Sequence, residues 1–239
     1  MANYDQQRVR VGVGGAAGAR EIDQGLRAYM LSVYNYMAGG LALTGVVAYA
    51  AAYTGFYASI AQTPLIWVVM LAPLGFVFFL SFRIQKMSVG AAQLTFWAFA
   101  AAMGLSISYI FLAYTSSSIF QTFLVTSVAF GGLSLYGYTT KRDLSAMGSF
   151  LVMGLIGLIV AMLVNLFLQS SALEFAISVI GVLIFAGLTA WDTQKIKEMY
   201  AEMDTGDTMA RKAIMGALAL YLDFINMFLF LLRFLGNRE

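Results

Sequence analysis

Two aspartates and one arginine occupy positions where a very apolar sequence could use them for chemistry. Asp223 lies near the middle of the hydrophobic run 213–232, within the segment LALYLDFINMF. Asp192 follows the run 175–191, and Arg83 follows the run 65–82. A carboxylate at the centre of a bilayer costs about 2.5–3.5 kcal/mol, so Asp223 is expected to be protonated, paired or wetted by a cavity.

The composition explains why these residues stand out. Hydrophobic residues make up 61% of the 239 positions and charged residues only 11%, which is typical of an integral membrane bundle rather than a soluble domain. The chain has no cysteine and no histidine. Thiol chemistry, disulfides and the usual proton shuttle are thereby excluded, and any proton-linked role falls to carboxylates.

Seven hydrophobic runs predict an all-α membrane protein with seven transmembrane helices, because lipid offers no partner for backbone amides outside helices and closed barrels. The runs are 29–53, 65–82, 94–114, 120–140, 150–168, 175–191 and 213–232. Residues 26–239 are therefore assigned to one transmembrane domain. Residues 1–25 are polar and rich in Gly and Ala, which predicts a flexible cytoplasmic tail.

The orientation follows from the positions of Lys and Arg. Of the 14 basic residues, all but Arg233 and Arg238 fall on one side of the predicted bundle. The opposite loops, around 55–63, 115–119 and 169–174, contain none. The positive-inside rule then places the amino terminus in the cytoplasm. The last run either spans the membrane, leaving Arg233 and Arg238 outside, or dips in and returns.

Paired small residues predict close helix packing. Gly39–Gly40, Gly131–Gly132, Gly154 and Gly157 put small surfaces on helices, where two backbones can approach each other.

Asp192 and Asp223 together would form a proton-sensitive pair. Two carboxylates close together in a low-dielectric site cannot both ionise freely, so they titrate as a unit. With backbone carbonyls and water they would also offer a weak, transient Ca²⁺ site, which suits conduction better than storage. Alternatives remain for each residue: Asp192 as a solvated interfacial acid, Arg83 as a positive-inside anchor, and Asp223 as a structural hydrogen-bond partner.

One geometric difficulty opposes this pairing. Counted from the predicted helix ends, Asp192 lies near the surface and Asp223 about 15 Å deep. Contact requires that the last helix begins lower or tilts, or that a cytoplasmic cavity reaches in. The sixth run is short, which leaves room for its helix to continue past Asp192.

Three segments resemble the Bax inhibitor-1 family, also called the transmembrane Bax inhibitor motif family. WDTQKI at 191–196 resembles its aromatic-Asp-Thr-Gln-x-Ile signature, and YLDFINMF at 221–228 resembles its Leu-Asp-Phe-Ile element. The loop YTTKRDL at 138–144 is similar to that of bacterial members. The resemblance covers about residues 20–239.

This resemblance implies a helical bundle with a central last helix, a Ca²⁺ leak across the membrane, and a di-aspartyl pH sensor at Asp192 and Asp223. An arginine of the second span can engage that pair in the family, and Arg83 matches by position. Thr193, Gln194 and Asn226 are possible accessory polar residues. Calcium would be the transported ion, with no resident cofactor, and the location would be the bacterial inner membrane.

Two other functions compete with a leak channel. The resemblance to bacterial members allows a regulator or adaptor of a membrane-bound AAA protease, while animal and plant members restrain cell death. Two aspartates on consecutive helices are also the minimum for an intramembrane aspartyl protease. The residues before Asp223 do not resemble the Gly-x-Gly-Asp of such enzymes, and no proline follows Pro73. We therefore expect a protein that is not an enzyme.

Overall fold

The chain folds into nine α-helices over the part described by the computed structural model, whose side chains cover residues 24–237. The predicted flexible tail, 1–25, lies almost wholly outside that range and stays a prediction. The helices are α1 (Ala2–Tyr53), α2 (Phe56–Ala61), α3 (Leu65–Arg83), α4 (Val89–Ile107), α5 (Ile110–Ala113), α6 (Ser116–Thr139), α7 (Ser145–Leu168), α8 (Ser171–Glu198) and α9 (Gly206–Leu235).

The prediction of an all-α membrane protein is confirmed, and the described residues contain no strand. Seven segments are long and apolar enough to cross a bilayer: Gln24–Tyr53, Leu65–Lys86, Val89–Ala113, Ser116–Thr139, Ser145–Leu168, Ser171–Glu198 and Gly206–Leu235. Most of these segments extend beyond the hydrophobic runs, because a helix continues through polar residues once it leaves the hydrocarbon region.

Helix α9 occupies the centre of the bundle, as the resemblance implied. Of its most apolar stretch, 67% is buried inside the protein, compared with 6% for α7. Helices α1, α4, α6 and α8 surround α9, whereas α3 packs mainly on α4 and α7 packs on α8. An apolar helix with protein on all sides can carry a polar residue that lipid would reject.

The last helix is one unbroken rod of 30 residues. An in-and-back path would need a break, so the continuous helix favours full crossing. Its end meets the loop before α6, where Thr115 donates a backbone hydrogen bond of 3.1 Å to the Asn237 carbonyl and Asn237 donates one of 3.0 Å to Ser118 Oγ. The carboxyl end of α9 therefore lies beside one of the loops without basic residues.

Close helix packing uses only some of the predicted glycines. A side chain at Gly39, Gly40 or Gly154 would contact a neighbouring helix, whereas one at Gly131, Gly132 or Gly157 would meet nothing within 4 Å. The prediction was wrong for these last three positions because pairs of small residues also occur on lipid-facing surfaces. Among the glycines of the described residues, Gly137 of α6 makes the closest approach to the backbone of another helix, against the carbonyl of Ala190 in α8.

Candidate functional site

The register between α8 and α9 determines which polar residues meet. Ile196 of α8 packs against Gly216 of α9, and Phe230 packs over Gly181. In this antiparallel register, the first residues of α9 extend past the last residue of α8, on the side of the bundle where the basic loops lie. Lys212 of α9 holds the loop between the two helices by donating a 2.8 Å hydrogen bond from its Nζ to the Met199 carbonyl. Asp192 and Asp223 therefore lie at the same height, and the lower start of the last helix resolves the difficulty in their depths.

The carboxyl groups of Asp192 and Asp223 approach each other closely enough for a side-chain hydrogen bond. Because ionised carboxylates only accept hydrogen bonds, such a bond forms only when one of the two groups carries a proton. Asp223 is only 4% exposed, whereas Asp192 is half-buried. Oδ2 of Asp223 has no hydrogen-bond partner among the described residues. The two carboxyl groups thus lie together in a buried site, where one oxygen of Asp223 has no hydrogen-bond partner among the described residues.

The opposite face of α9 is fixed by a second polar contact. Thr44 of α1 donates 2.8 Å to the Ala100 carbonyl of α4, and its hydroxyl lies 2.6 Å from the hydroxyl of Tyr221. Since Thr44 uses its proton on Ala100, Tyr221 is the donor to Thr44. Tyr221 is fully buried and precedes Asp223 by two residues, about half a helical turn. The sequence analysis did not select Tyr221 or Thr44; a hydroxyl within an apolar run was the available signal.

Thr193, predicted as an accessory residue, belongs to a string of hydroxyl groups beside the pair. It donates 2.8 Å to the Thr189 carbonyl, and its Oγ1 lies 2.9 Å from Ser134 Oγ of α6. Ser134 is bonded in turn to the hydroxyl of Tyr34 on α1. The string connects α1, α6 and α8 next to Asp192.

Gln194, also predicted as accessory, holds a loop. Its Oε1 accepts 2.8 Å from the backbone N–H of Leu144, and its Nε2 donates 2.8 Å to the carbonyl of Arg142. The amide therefore positions the basic loop between α6 and α7. Lys197 reinforces the same region by donating 2.8 Å to the carbonyl of Tyr138.

The other two predicted residues do not join the pair in this conformation. Asn226 is half-buried and donates 2.8 Å to the Leu222 carbonyl of its own helix. Arg83 is exposed at the end of α3. The cation that acts electrostatically on Asp192 is Lys195, one turn along α8, whose Nζ lies 4.9 Å from the centre of the Trp191 ring. A role for Arg83 at the pair stays a prediction.

The arrangement can hold a proton, but it does not form a complete metal site. Within residues 24–237 no group of three or more His, Cys, Asp or Glu side chains could hold an ion. Ca²⁺ prefers six to eight oxygen ligands. Two carboxylates can supply only part of that shell, and water or backbone carbonyls would have to supply the remainder.

Comparisons with known proteins agree with this fold and sequence pattern. The family model described as "Inhibitor of apoptosis-promoting Bax1" matches residues 26–239. An uncharacterized protein of Rickettsia prowazekii is 52% identical over 221 residues, covering 92% of this chain and 94% of the relative. Inner membrane protein YbhL of Escherichia coli K12 is 49% identical over 219 residues, covering 90% and 94% respectively. The chain is a bacterial-type member of the Bax inhibitor-1 family of membrane proteins.

Proposed function

We propose that this protein is a pH-sensitive Ca²⁺ leak channel of the bacterial inner membrane, with Asp192 and Asp223 as its proton sensor and its amino terminus in the cytoplasm. The supporting observation is that these two carboxyl groups, on neighbouring helices at the buried centre of the bundle, lie within hydrogen-bonding reach of each other. A similarity to YbhL, which is named as an inner membrane protein, supports the location.

The sensor works through the number of protons on the pair. With one proton, the carboxyl groups attract each other and hold α8 against α9. When that proton leaves, two like charges face each other at hydrogen-bonding distance in a medium of low dielectric, where their repulsion is much stronger than in water. Relief comes from separation of the helices or entry of water and cations. Proton count is thereby coupled to helix position.

The described conformation is a closed one. Asp223 is almost without solvent contact, and Phe224, Ile225 and Phe228 beyond it along α9 are buried as well. A hydrated ion cannot pass such apolar packing. Conduction therefore requires movement of α9 or of a helix around it. Tyr221 and Thr44 oppose that movement on one face, and the aspartate pair opposes it on the other.

Calcium flux into proteoliposomes tests the proposal. Vesicles containing a Ca²⁺-sensitive dye are assayed over a range of pH with the wild type, Asp223→Asn and Asp192→Asn. The matched control is Asp207→Asn, the same change at an exposed position in the first turn of α9. We expect either variant of the pair to abolish the pH response and the control to retain it. If Asp223→Asn leaves both flux and pH response intact, the sensor is wrong.

The proposed orientation has its own test. Because the chain has no cysteine, single cysteines at Ser117 and at Arg142 can be labelled by a membrane-impermeant maleimide in intact cells after permeabilisation of the outer membrane. We expect Ser117→Cys to react and Arg142→Cys to react only after the inner membrane is lysed. The reverse pattern would place the amino terminus outside.

The adaptor alternative concerns a membrane-bound AAA protease and depends on residues 1–20, whose side chains lie outside the described part. Co-purification of that protease, lost on removal of these residues, would favour the adaptor over conduction.

A further inference from the structure

A large groove opens on the side of the bundle between α1 and α6. Both helices pack along α9, but they make little contact with each other beyond the hydrogen bond between Tyr34 and Ser134. The gap has a volume of about 1080 Å³. Leu31 and Val46 on α1 and Leu135 on α6 line its rim and are 52%, 67% and 63% exposed.

Water is a poor occupant of this groove. Ordered water needs several polar partners, which the mostly apolar wall of this groove does not provide. The groove faces the lipid side of a spanning bundle, so hydrocarbon is the material that the membrane supplies to fill it. Along α1 it runs from Arg27 to Val46, about 28 Å at 1.5 Å per residue, which is close to the thickness of the hydrocarbon core.

The groove is apolar along its length but positively charged at one end. Arg27 lines this end, is exposed, and has no hydrogen bond or ion pair among the described residues. Tyr138 lines the same end from α6. Lys197 Nζ lies 5.2 Å from the centre of the Tyr138 ring, but it donates to the Tyr138 carbonyl and does not line the groove, so Arg27 is the cation at this mouth among the described residues. Aromatic and basic residues at one end of an apolar surface match the interface between lipid tails and headgroups.

We propose that this groove binds an anionic phospholipid, with an acyl chain between α1 and α6 and its phosphate at Arg27. The floor of the groove includes Phe224, next to Asp223, and Ser134, which is bonded to the neighbour of Asp192. The bound chain therefore lies against residues adjacent to both aspartates. Binding itself does not depend on the proposed channel function.

Four variants separate the headgroup from the chain. Arg27→Gln removes the cation at the mouth, and Arg83→Gln removes another exposed arginine that does not line the groove. Gly131→Phe fills the groove, whereas Gly132→Phe adds the same side chain to the adjacent position outside it. A Cβ at either glycine meets nothing within 4 Å, and both arginines are exposed, so all four variants are compatible with folding.

Native mass spectrometry of the detergent-purified full chain, titrated with dioleoyl phosphatidylglycerol or dioleoyl phosphatidylcholine, measures the binding. We expect one molecule of phosphatidylglycerol to bind about fivefold more tightly than phosphatidylcholine, because one cation near an anionic headgroup strengthens binding by about that factor. Arg27→Gln should remove this preference and Arg83→Gln should retain it. Gly131→Phe should weaken the binding of both lipids, and Gly132→Phe should leave both unchanged.

Three results would overturn the proposal. Equal binding of the two lipids by the wild type would remove the headgroup contact. Equal effects of Arg27→Gln and Arg83→Gln, or of Gly131→Phe and Gly132→Phe, would show that lipid binds elsewhere on the surface. A lipid-free dimer that Gly131→Phe dissociates would show that a helix of a second copy occupies the groove.

Discussion

The contact between Gly137 and Ala190 offers a sharp test of the packing that positions the aspartate pair. A Cβ at residue 137 would lie 2.1 Å from the carbonyl oxygen of Ala190, and 2.9 Å and 3.0 Å from its carbonyl carbon and Cα. All three atoms belong to the backbone, so no side chain can rotate away. Gly137→Ala therefore forces α6 away from α8 by more than an ångström.

The expected destabilisation follows from two opposing effects. Overpacking costs about 1–3 kcal/mol, and the rigid backbone places this site at the upper end. Alanine also stabilises a helix by about 0.5–1 kcal/mol relative to glycine. Gly131→Ala on the same helix provides the control, because its Cβ meets nothing within 4 Å and only the propensity effect applies. The difference between the two variants isolates the overpacking, which we expect to be about 2–3 kcal/mol.

Unfolding of the detergent-solubilised protein by increasing SDS, followed by far-ultraviolet circular dichroism, measures this difference. Ser134 lies one turn before Gly137 on α6, so the same displacement should lengthen its hydrogen bond to Thr193 of α8. If Gly137→Ala unfolds at the same SDS fraction as Gly131→Ala, the close approach of α6 and α8 is wrong, and with it the height at which α8 holds Asp192.

Two further predictions concern the loop between α6 and α7. Gln194→Ala removes both hydrogen bonds to this loop, at Arg142 and Leu144, and should increase cleavage of the loop by trypsin after Arg142. Gln194→Glu can still accept the hydrogen bond from Leu144 and should protect the loop partly. Equal cleavage of the wild type and both variants would contradict this role of Gln194. The side-chain and backbone hydrogen bonds of Ser145 hold the pKa of Asp143 below its ordinary value. A lowered pKa stabilises the folded loop at pH values above the unfolded pKa, and this stabilisation is lost as pH falls through the folded pKa. The ¹³C carboxyl titration of Asp143 should therefore have a midpoint below that of a model peptide, and Ser145→Ala should raise this midpoint. An unchanged midpoint in Ser145→Ala would contradict this cause.

The sequence predicted most of the transmembrane architecture. Hydrophobicity is a local property, so seven runs and the unusual depth of Asp223 can be read directly from the residues. The helix ends were less predictable. Helix α8 continues to Glu198 and α9 begins at Gly206, because polar residues remain helical outside the hydrocarbon region. The sequence did not determine how far these two helices extend beyond the hydrophobic runs, and this extension allows Asp192 and Asp223 to meet.

Other parts of the site depended on tertiary contacts between residues far apart in the chain. The side-chain amide of Gln194 is hydrogen-bonded to a loop, and the hydroxyl of Tyr221 is hydrogen-bonded to Thr44, which is 177 residues away in the sequence. Nothing in the local sequence specifies such partners. The position of Arg83 is a similar case, since a basic residue at a helix end satisfies the positive-inside rule whether or not it faces the acids.

By itself, the sequence determined that this protein crosses the membrane with helices and carries a carboxyl group where lipid would reject it. Only the tertiary structure decided that Asp192 is its partner and that α1 and α6 leave a groove open to lipid. The physical reason is that the cost of placing a residue in lipid depends on the residue itself, whereas helix register and helix neighbours depend on how whole surfaces fit together.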